Sequence, residues 1–448
     1  MSQNQANVPA DDSFFERVFK LSENRTNFKT EIIAGLTTFM TMVYIIFVNP
    51  SILSEAGMNW NGVFIATILA SAIGTLVMAF STNYPFALAP GMGLNAFFAF
   101  SIVLGMGVSW QVALGLVFIE GVLFILLSIT NFRTALVNSI PMSLKAAISA
   151  GIGLFIAFIG FQNAGIVEAY PATIVSLGAL TSPEVMVTWV GLLVAGVLYA
   201  LKIKGALLWS IVAATLFGMI PSIGVTGAFN GIFALPSWGD FTSVAFQLDI
   251  AGAINLGLIG VMLSLLIVDL FDTAGTLVGV ATQAGYLDKD GNLPKADKAL
   301  LSDAIATTSG ALLGTSTTTT YIESASGVSE GGRTGLTGVT VAILFLLSLF
   351  IMPLVGIVPG AATAPALIIV GILMMKSVTK INWDDFSDAL PAFLTMVMMP
   401  FSYSISDGIA LGFISYSLLN LIIGRRDKTN WIINFIAVIF VLYFVFLH

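Results

Sequence analysis

Apolar stretches of roughly 17–25 residues, the length that carries a helix across the hydrocarbon of a bilayer, recur from residue 31 almost to the end of the chain. EIIAGLTTFMTMVYIIFVNP and TGVTVAILFLLSLFIMPLVG are two of them. Inside lipid every backbone N–H and C=O must be satisfied within the chain, which leaves helices or a closed barrel. These runs are longer than barrel strands and do not alternate, so the fold class is an all-α polytopic membrane protein. Composition agrees: 57% of residues are hydrophobic and 9% charged, against about 25% charged in soluble domains. Spans beginning near residues 31, 61, 86, 110, 144, 186, 205, 255, 299, 317, 335, 361, 388 and 405 give about fourteen segments. A further apolar stretch follows residue 430.

Charge placement orients the bundle. If residues 1–30 are a cytoplasmic leader, all 17 Lys and Arg residues fall in that leader or in loops on its side, including Arg133, Lys204, Lys289, Arg333 and Arg426. The opposite loops carry acids such as Glu168, Glu184, Asp240 and Asp249, as the positive-inside rule requires. The leader has no short apolar segment with a cleavage site, so it does not read as a signal peptide. The net charge of −7 comes with no basic patch, so nucleic acid is not an expected partner. The chain has no cysteine and one histidine, His448, which excludes disulfides, thiolate chemistry and histidine metal clusters. No cofactor or metal is expected.

The two halves echo each other. SAIGTLVMAFSTNYPFALAPGMG from Ser71 aligns without gaps on TTSGALLGTSTTTTYIESASGVS from Thr307, setting Gly74 against Gly310 and Gly91 against Gly327. KGALLWSIV pairs with DGIALGFIS, and Pro141 with Pro359, in the same order. Two halves that start on opposite faces form an inverted repeat, an arrangement typical of secondary transporters.

Both aligned stretches are broken by Gly or Pro and rich in small or hydroxyl residues, which makes them poor continuous helices. Each reads as an extended piece leading into a half-helix, and paired breaks point to a binding site near the bilayer midplane. The bland alternative, glycines that only permit close helix packing, does not account for a carboxylate in the same segment. Left facing lipid, Glu323 would cost about 2.5–3.5 kcal/mol, so it is expected to face a cavity or partners. Asp269 and Asp272 stand three apart on one helix face, with Thr273 and Thr276 beside them. Several carboxylates in one dry site do not all stay ionised, so at least one is expected to hold a proton near neutral pH. Asp269 reads equally well as a structural group. Glu120 is either a bundle-facing structural residue or a second proton site. Asp303 and Asp407 read as helix-start carboxylates favoured by the dipole. Asn95 offers amide donors and an acceptor to a planar heterocycle. Phe97, Phe98 and Phe100 offer ring faces, of which at most one is expected to stack on a ligand.

NRTNFKTEIIAGLTTFMTMVYIIFVNP, APGMGLNAFFAFSIVLGMG, DLFDTAGTLVGVATQAG and GTSTTTTYIESASGVSEGGRTG resemble the purine permeases of the nucleobase:cation symporter 2 family, in its AzgA-like group. The likeness runs from about Phe14 to the last helix. It implies a uracil-permease-like fold of fourteen segments as a 7+7 inverted repeat, with short strands in segments 3 and 10. It also implies a core domain from residues 31–140 and 251–358 and a gate domain from 141–250 and 359–448. Carried over residue by residue, the segment 8 acid falls on Asp272, the segment 10 acid on Glu323 and the segment 3 amide on Asn95. Relatives that carry pyrimidines or xanthine have a histidine where this chain has Thr276, so their proton coupling does not transfer directly.

The expected activity is proton-coupled import of purine nucleobases, guanine or hypoxanthine first and adenine next, across the plasma membrane by a homodimer. Asn95, Asp272, Thr273, Thr276, Glu323, Ser324 and Ala325 are expected at the substrate. Asp269, Asp272 and Glu323 are expected to couple the proton. The rival readings are an anion transporter or channel of the same fold, which would favour helix N-termini and basic groups over carboxylates, and a membrane-embedded enzyme, for which the chain offers no histidine motif.

Overall fold

Polar caps decide where the helices begin and end. Asn27 accepts the Thr30 N–H at 3.0 Å and opens α1 (Phe28–Met42). The chain then turns at Val43 and Tyr44 and continues as α2 (Ile45–Glu55). Asn59 opens α3 (Trp60–Thr82), and Asn83, with φ of 60°, closes it in the left-handed conformation that asparagine tolerates better than most residues. The first half continues with strand β1 (Leu88–Pro90), α4 (Met92–Ala96, widened into π-helical turns over Phe97–Gly105), α5 (Trp110–Ser128), α6 (Met142–Asn163), the hairpin β2 (Val167–Tyr170) and β3 (Ile174–Leu177), α7 (Pro183–Ala200) and α8 (Ala206–Gly218). The second half comprises α9 (Ile259–Ala284), α10 (Ala296–Leu313), β4 (Thr318–Thr320), α11 (Ser324–Ser329), α12 (Gly335–Ser348), α13 (Gly360–Met375), α14 (Phe386–Ser402), α15 (Ile405–Ile422) and α16 (Trp431–Leu447).

This computed structural model describes residues 14–128, 139–227, 231–255, 259–288, 293–425 and 428–447. The leader before Phe14, the loop cations Arg133, Lys289 and Arg426, and His448 lie outside the described residues. Among the described residues nine helices are long and apolar enough to cross a membrane. α4, α8 and α14 are shorter apolar helices, and the more polar α10 is packed against α3 and α5.

The repeat is visible in the order of elements: α3, β1, α4 and α5 recur as α10, β4, α11 and α12, and α6 to α8 recur as α13 to α15. Pro141 and Pro359 sit at the N-caps of α6 and α13, so that echo marks equivalent positions. The gapless alignment, however, has its register wrong. It sets Leu88 against Ser324, whereas strand Leu88–Pro90 corresponds to strand Thr318–Thr320. Glycines recur every few residues wherever helices approach closely, so matching glycine to glycine finds the repeat without fixing its register.

The halves are stitched by polar groups buried within the bundle. Glu31, in the first turn of α1, is fully buried and caps α12. It accepts the N–H groups of Arg333 (2.8 Å), Thr334 (3.3 Å) and Thr337 (3.2 Å) and the Thr337 hydroxyl (2.6 Å). Asn83 accepts the Gly335 N–H at 2.9 Å. These bonds satisfy donors that a helix start leaves open.

The stretch after residue 430 forms α16, which runs antiparallel along α15. The Ser417 hydroxyl donates to Asn434 Oδ1 at 2.7 Å, and farther along Tyr443 donates to Asp407 at 3.5 Å. The Tyr443 ring also seals against α9, where a Cβ at Gly260 would lie 2.5 Å from Tyr443 Cδ2.

Candidate functional site

The two breaks meet. β1 and β4 pair antiparallel, with Leu88 opposite Thr320, Ala89 opposite Thr319 and Pro90 opposite Thr318. Two more bonds extend the ladder symmetrically: Gly91 N–H donates to Thr317 O at 3.0 Å and Tyr321 N–H to Ala87 O at 2.9 Å. Gly91 is required here by close approach, since a Cβ would lie 2.8 Å from Thr319 Cγ2. Each half thus supplies the hydrogen-bond partners that the other lost when its helix was interrupted, which is how non-helical backbone survives at membrane depth.

The run TSTTTT at residues 315–320 is fully buried; five of its six hydroxyls and the Thr318 carbonyl meet side chains from five helices, while the Thr318 hydroxyl has no partner among the described residues. Asn49 of α2 donates to Thr315 at 2.8 Å and to Thr67 of α3 at 2.7 Å. Ser316 donates to Asn95 Oδ1 of α4. Thr317 donates to Glu120 Oε2 of α5 at 3.0 Å. The Thr318 carbonyl accepts the Thr307 hydroxyl of α10 at 3.0 Å. Thr319 and Thr273 of α9 share a hydrogen bond at 2.8 Å. Thr320 donates to Asp303 Oδ1 of α10 through its N–H at 2.9 Å and its hydroxyl at 3.1 Å. A buried hydroxyl without a partner costs about 1–3 kcal/mol, so a run of six is tolerable because five of them are matched.

The acids divide into two kinds. Glu120 and Asp303 are fully buried and grip the second break. Asp303 lies well inside α10, not at its start, and so does not serve as the dipole-stabilised helix-start carboxylate expected. Besides Thr320 it accepts the Thr273 hydroxyl at 2.8 Å. Asp407 does sit in the first turn of α15. Asp272 and Glu323 are only partly buried, and Asp272 lies within Coulomb range of both Glu323 and Asp303. Among the described residues Asp272 makes no hydrogen bond, and its Oδ2 faces Gly91, 3.7 Å from where a Cβ there would be. Glu323 stands at the start of α11, where Tyr44 donates to its Oε1 at 2.7 Å. Asp269, one turn before Asp272, is buried with Oδ1 3.2 Å from the Thr273 hydroxyl.

The other expected residues are placed as follows. Asn95 is fully buried; its oxygen is occupied by Ser316, and its Nδ2 reaches Pro90 O at 3.5 Å. Thr273 is buried between α9, α10 and β4, while Thr276, one turn on, is partly buried. The Ser324 hydroxyl accepts the Ala87 N–H at 3.0 Å. The N–H groups of Ser324 and Ala325, expected to meet a ligand, instead donate to Tyr321 O and Ile322 O at 3.1 and 3.0 Å. They close the first turn and have no proton to spare. Phe97, Phe98 and Phe100 are buried, and Phe100 stands edge-on to Tyr403 at 6.0 Å. Sequence reasoning missed Tyr44, Asn49, Asp303 as a clasp, and Tyr321, whose hydroxyl donates to Pro90 O at 2.6 Å. The one available signal for the first two was Asn49–Pro50 inside an apolar span, a mark of an interrupted crossing.

Known proteins place this geometry. The family profile Xan_ur_permease, described as "Permease family", matches residues 29–411. Adenine permease AdeP of Escherichia coli K12 is 47% identical over 100% of this chain and 99% of its own. Guanine/hypoxanthine permease PbuO of Bacillus subtilis is 49% identical over 94% of this chain and 98% of its own. Among solved structures, the transmembrane domain of the cyanobacterial bicarbonate transporter BicA superposes with a TM-score of 0.62 at 14% identity, covering 86% of this chain and 97% of that one. That likeness concerns fold alone and carries the 7+7 inverted repeat. With a family match over most of its length and near-full-length relatives in it, the chain belongs to the Xan_ur_permease family of membrane permeases, the nucleobase:cation symporter 2 family, and is a transporter rather than an enzyme.

Proposed function

We propose that the protein imports purine nucleobases, guanine, hypoxanthine or adenine, together with a proton, by alternating access in the plasma membrane. The observation that carries this reading is the pair of carboxylates at the paired breaks: Asp272 with no hydrogen bond among the described residues, and Glu323 with one oxygen held by Tyr44. A neutral purine offers N–H donors that such oxygens accept, and Asn95 Nδ2, held only loosely, is a further donor for a ring nitrogen or carbonyl. The names of the relatives, an adenine permease and a guanine/hypoxanthine permease, point to the same substrate class.

In this reading Glu323 binds the base and Asp272, with Asp269 behind it, takes the proton. Loading both neutralises the site, and residues 31–140 with 251–358 then slide as a core past a gate made of 141–250 and 359–448. Packing supports that division: α6 packs mainly on α13 and α14, and α3 mainly on α10 and α12. Polar contacts between the two sets include the Lys204–Glu330 ion pair and the Lys145 ammonium 5.7 Å from the centre of the Phe271 ring. A homodimer joined through the gate and a cytoplasmic N-terminus complete the proposal. An anion substrate is disfavoured because Asp272 and Glu323 would repel it.

The test is uptake of labelled hypoxanthine into proteoliposomes with an imposed acid-outside gradient. Accumulation that collapses with a protonophore is expected. Uptake indifferent to the protonophore would remove the coupling, and absence of uptake for all three bases would remove the substrate class.

A further inference from the structure

We infer that Tyr44 sets selectivity among purines by occupying one of the two oxygens of Glu323, so that bases without a 2-amino group are preferred over those that carry one. This rests on the purine reading above and deepens it. Tyr44 stands where the first crossing turns between α1 and α2, is 2% exposed, and places its hydroxyl 2.7 Å from Glu323 Oε1. Thr41, on the same turn, reaches the Glu323 carbonyl at 3.5 Å, so the turn grips this residue from two sides. A phenol has one proton to give, and here it is spent on Oε1. Tyr321, also near Glu323, is committed to Pro90 O at 2.6 Å. Tyr199, a third phenol near Glu323, donates no bond to the carboxylate among the described residues. Tyr44 is therefore the side chain that decides how much of the carboxylate's acceptor capacity remains for a ligand.

The bases differ in what they ask of that carboxylate. Guanine presents a ring N–H beside an exocyclic amine on one edge, a donor pair that matches both oxygens of a carboxylate in the bidentate manner. Hypoxanthine has the ring N–H alone on that edge, and adenine has one exocyclic amine beside a ring acceptor. With the Tyr44 hydroxyl on one lone pair of Oε1, Oε2 alone is free of a side-chain donor among the described residues. Hypoxanthine and adenine need one donor bond and take it there. Guanine's donor pair needs both oxygens at once, so it must share Oε1 with the Tyr44 hydroxyl or displace it, and either weakens a hydrogen bond to a charged group.

The experiment is competition by unlabelled guanine, hypoxanthine and adenine against labelled hypoxanthine uptake, with the full chain in proteoliposomes, for the unaltered protein and for Tyr44→Phe, which keeps the ring and its packing. In the unaltered protein hypoxanthine should compete better than guanine, by roughly tenfold. In Tyr44→Phe the ratio should move toward guanine by a similar factor. An unchanged ratio, or a move toward hypoxanthine, overturns the inference. Should the variant fail to fold, the unaltered protein still decides, because guanine competing as well as or better than hypoxanthine sinks it. Competition by no purine at all fails the substrate reading instead, which separates the two.

Discussion

Asp272 and Glu323 lie near each other at the paired breaks but are held differently, and the difference predicts different phenotypes. Glu323 already accepts Tyr44 and is positioned by the first turn of α11, so in the proposed mode removing it would take away a charge-assisted bond to the ligand. Glu323→Ala should lower purine binding at least roughly 100-fold, measured by calorimetry in detergent. Asp272→Asn keeps the shape of the side chain and one acceptor but loses the titrating proton. It should retain binding within about tenfold while losing accumulation against a gradient. Concentrative uptake by either variant would contradict the assignment. Both acids were legible in the sequence because a carboxylate in an apolar span needs a reason to be there. Tyr44 was not, because a tyrosine among apolar residues carries no such penalty and its bond to Glu323 joins residues far apart in the chain.

At the scale of elements, the informative unit is the short β1–β4 pair with its surrounding side chains. Asp303 holds three donors, the Thr320 N–H and the hydroxyls of Thr320 and Thr273. Asp303→Ala should leave the Thr320 N–H and hydroxyl unsatisfied, each costing about 1–3 kcal/mol, and should lower thermal stability in detergent as well as binding. A variant that melts like the parent would show that β4 is held by other means. The sequence disclosed that residues 315–320 interrupt a crossing, since hydroxyls, glycine and a carboxylate make a poor lipid-facing helix. It did not disclose which helix answers which hydroxyl, because those matches depend on how α2, α4, α5, α9 and α10 pack. The six-residue run reads as uniform, yet its members have different partners.

For the whole molecule, the open question in the sequence was whether the last apolar stretch crosses. Asn434 and Tyr443 meet Ser417 and Asp407 in antiparallel order, so α16 retraces the path of α15. A chain without cysteine allows a direct check: single cysteines at Thr429 and appended after residue 448 should be labelled from opposite faces of sealed vesicles. Labelling from the same face would place α16 along the surface. A second prediction concerns the loop between these helices, which is pinned to the start of α14. Asp385, outside the spans, caps α14 and pairs with Lys428 at 2.8 Å and Arg425 at 2.5 Å. The hydrogen bond from Lys428, with Ser387 next, holds its carboxyl well below the ordinary range. A depressed carboxyl stabilises the fold above its unfolded value, near pH 4, and that contribution fades as pH falls below it. The melting difference between the parent and Asp385→Asn should therefore be small, as for exposed pairs, present at pH 7 and shrinking below pH 4.

The clasp around residues 315–320 has one more consequence. Three ladder residues on their own would fray within a thermal fluctuation, but here the six positions of the run are tethered to five helices of the bundle. Displacing the strand by one rung would break those tethers together, so the second break has few half-shifted positions available. If α9 takes up a proton as proposed, the assembly would respond as a single rigid piece, and this stiffness would give a small chemical event the leverage to move many helices at once.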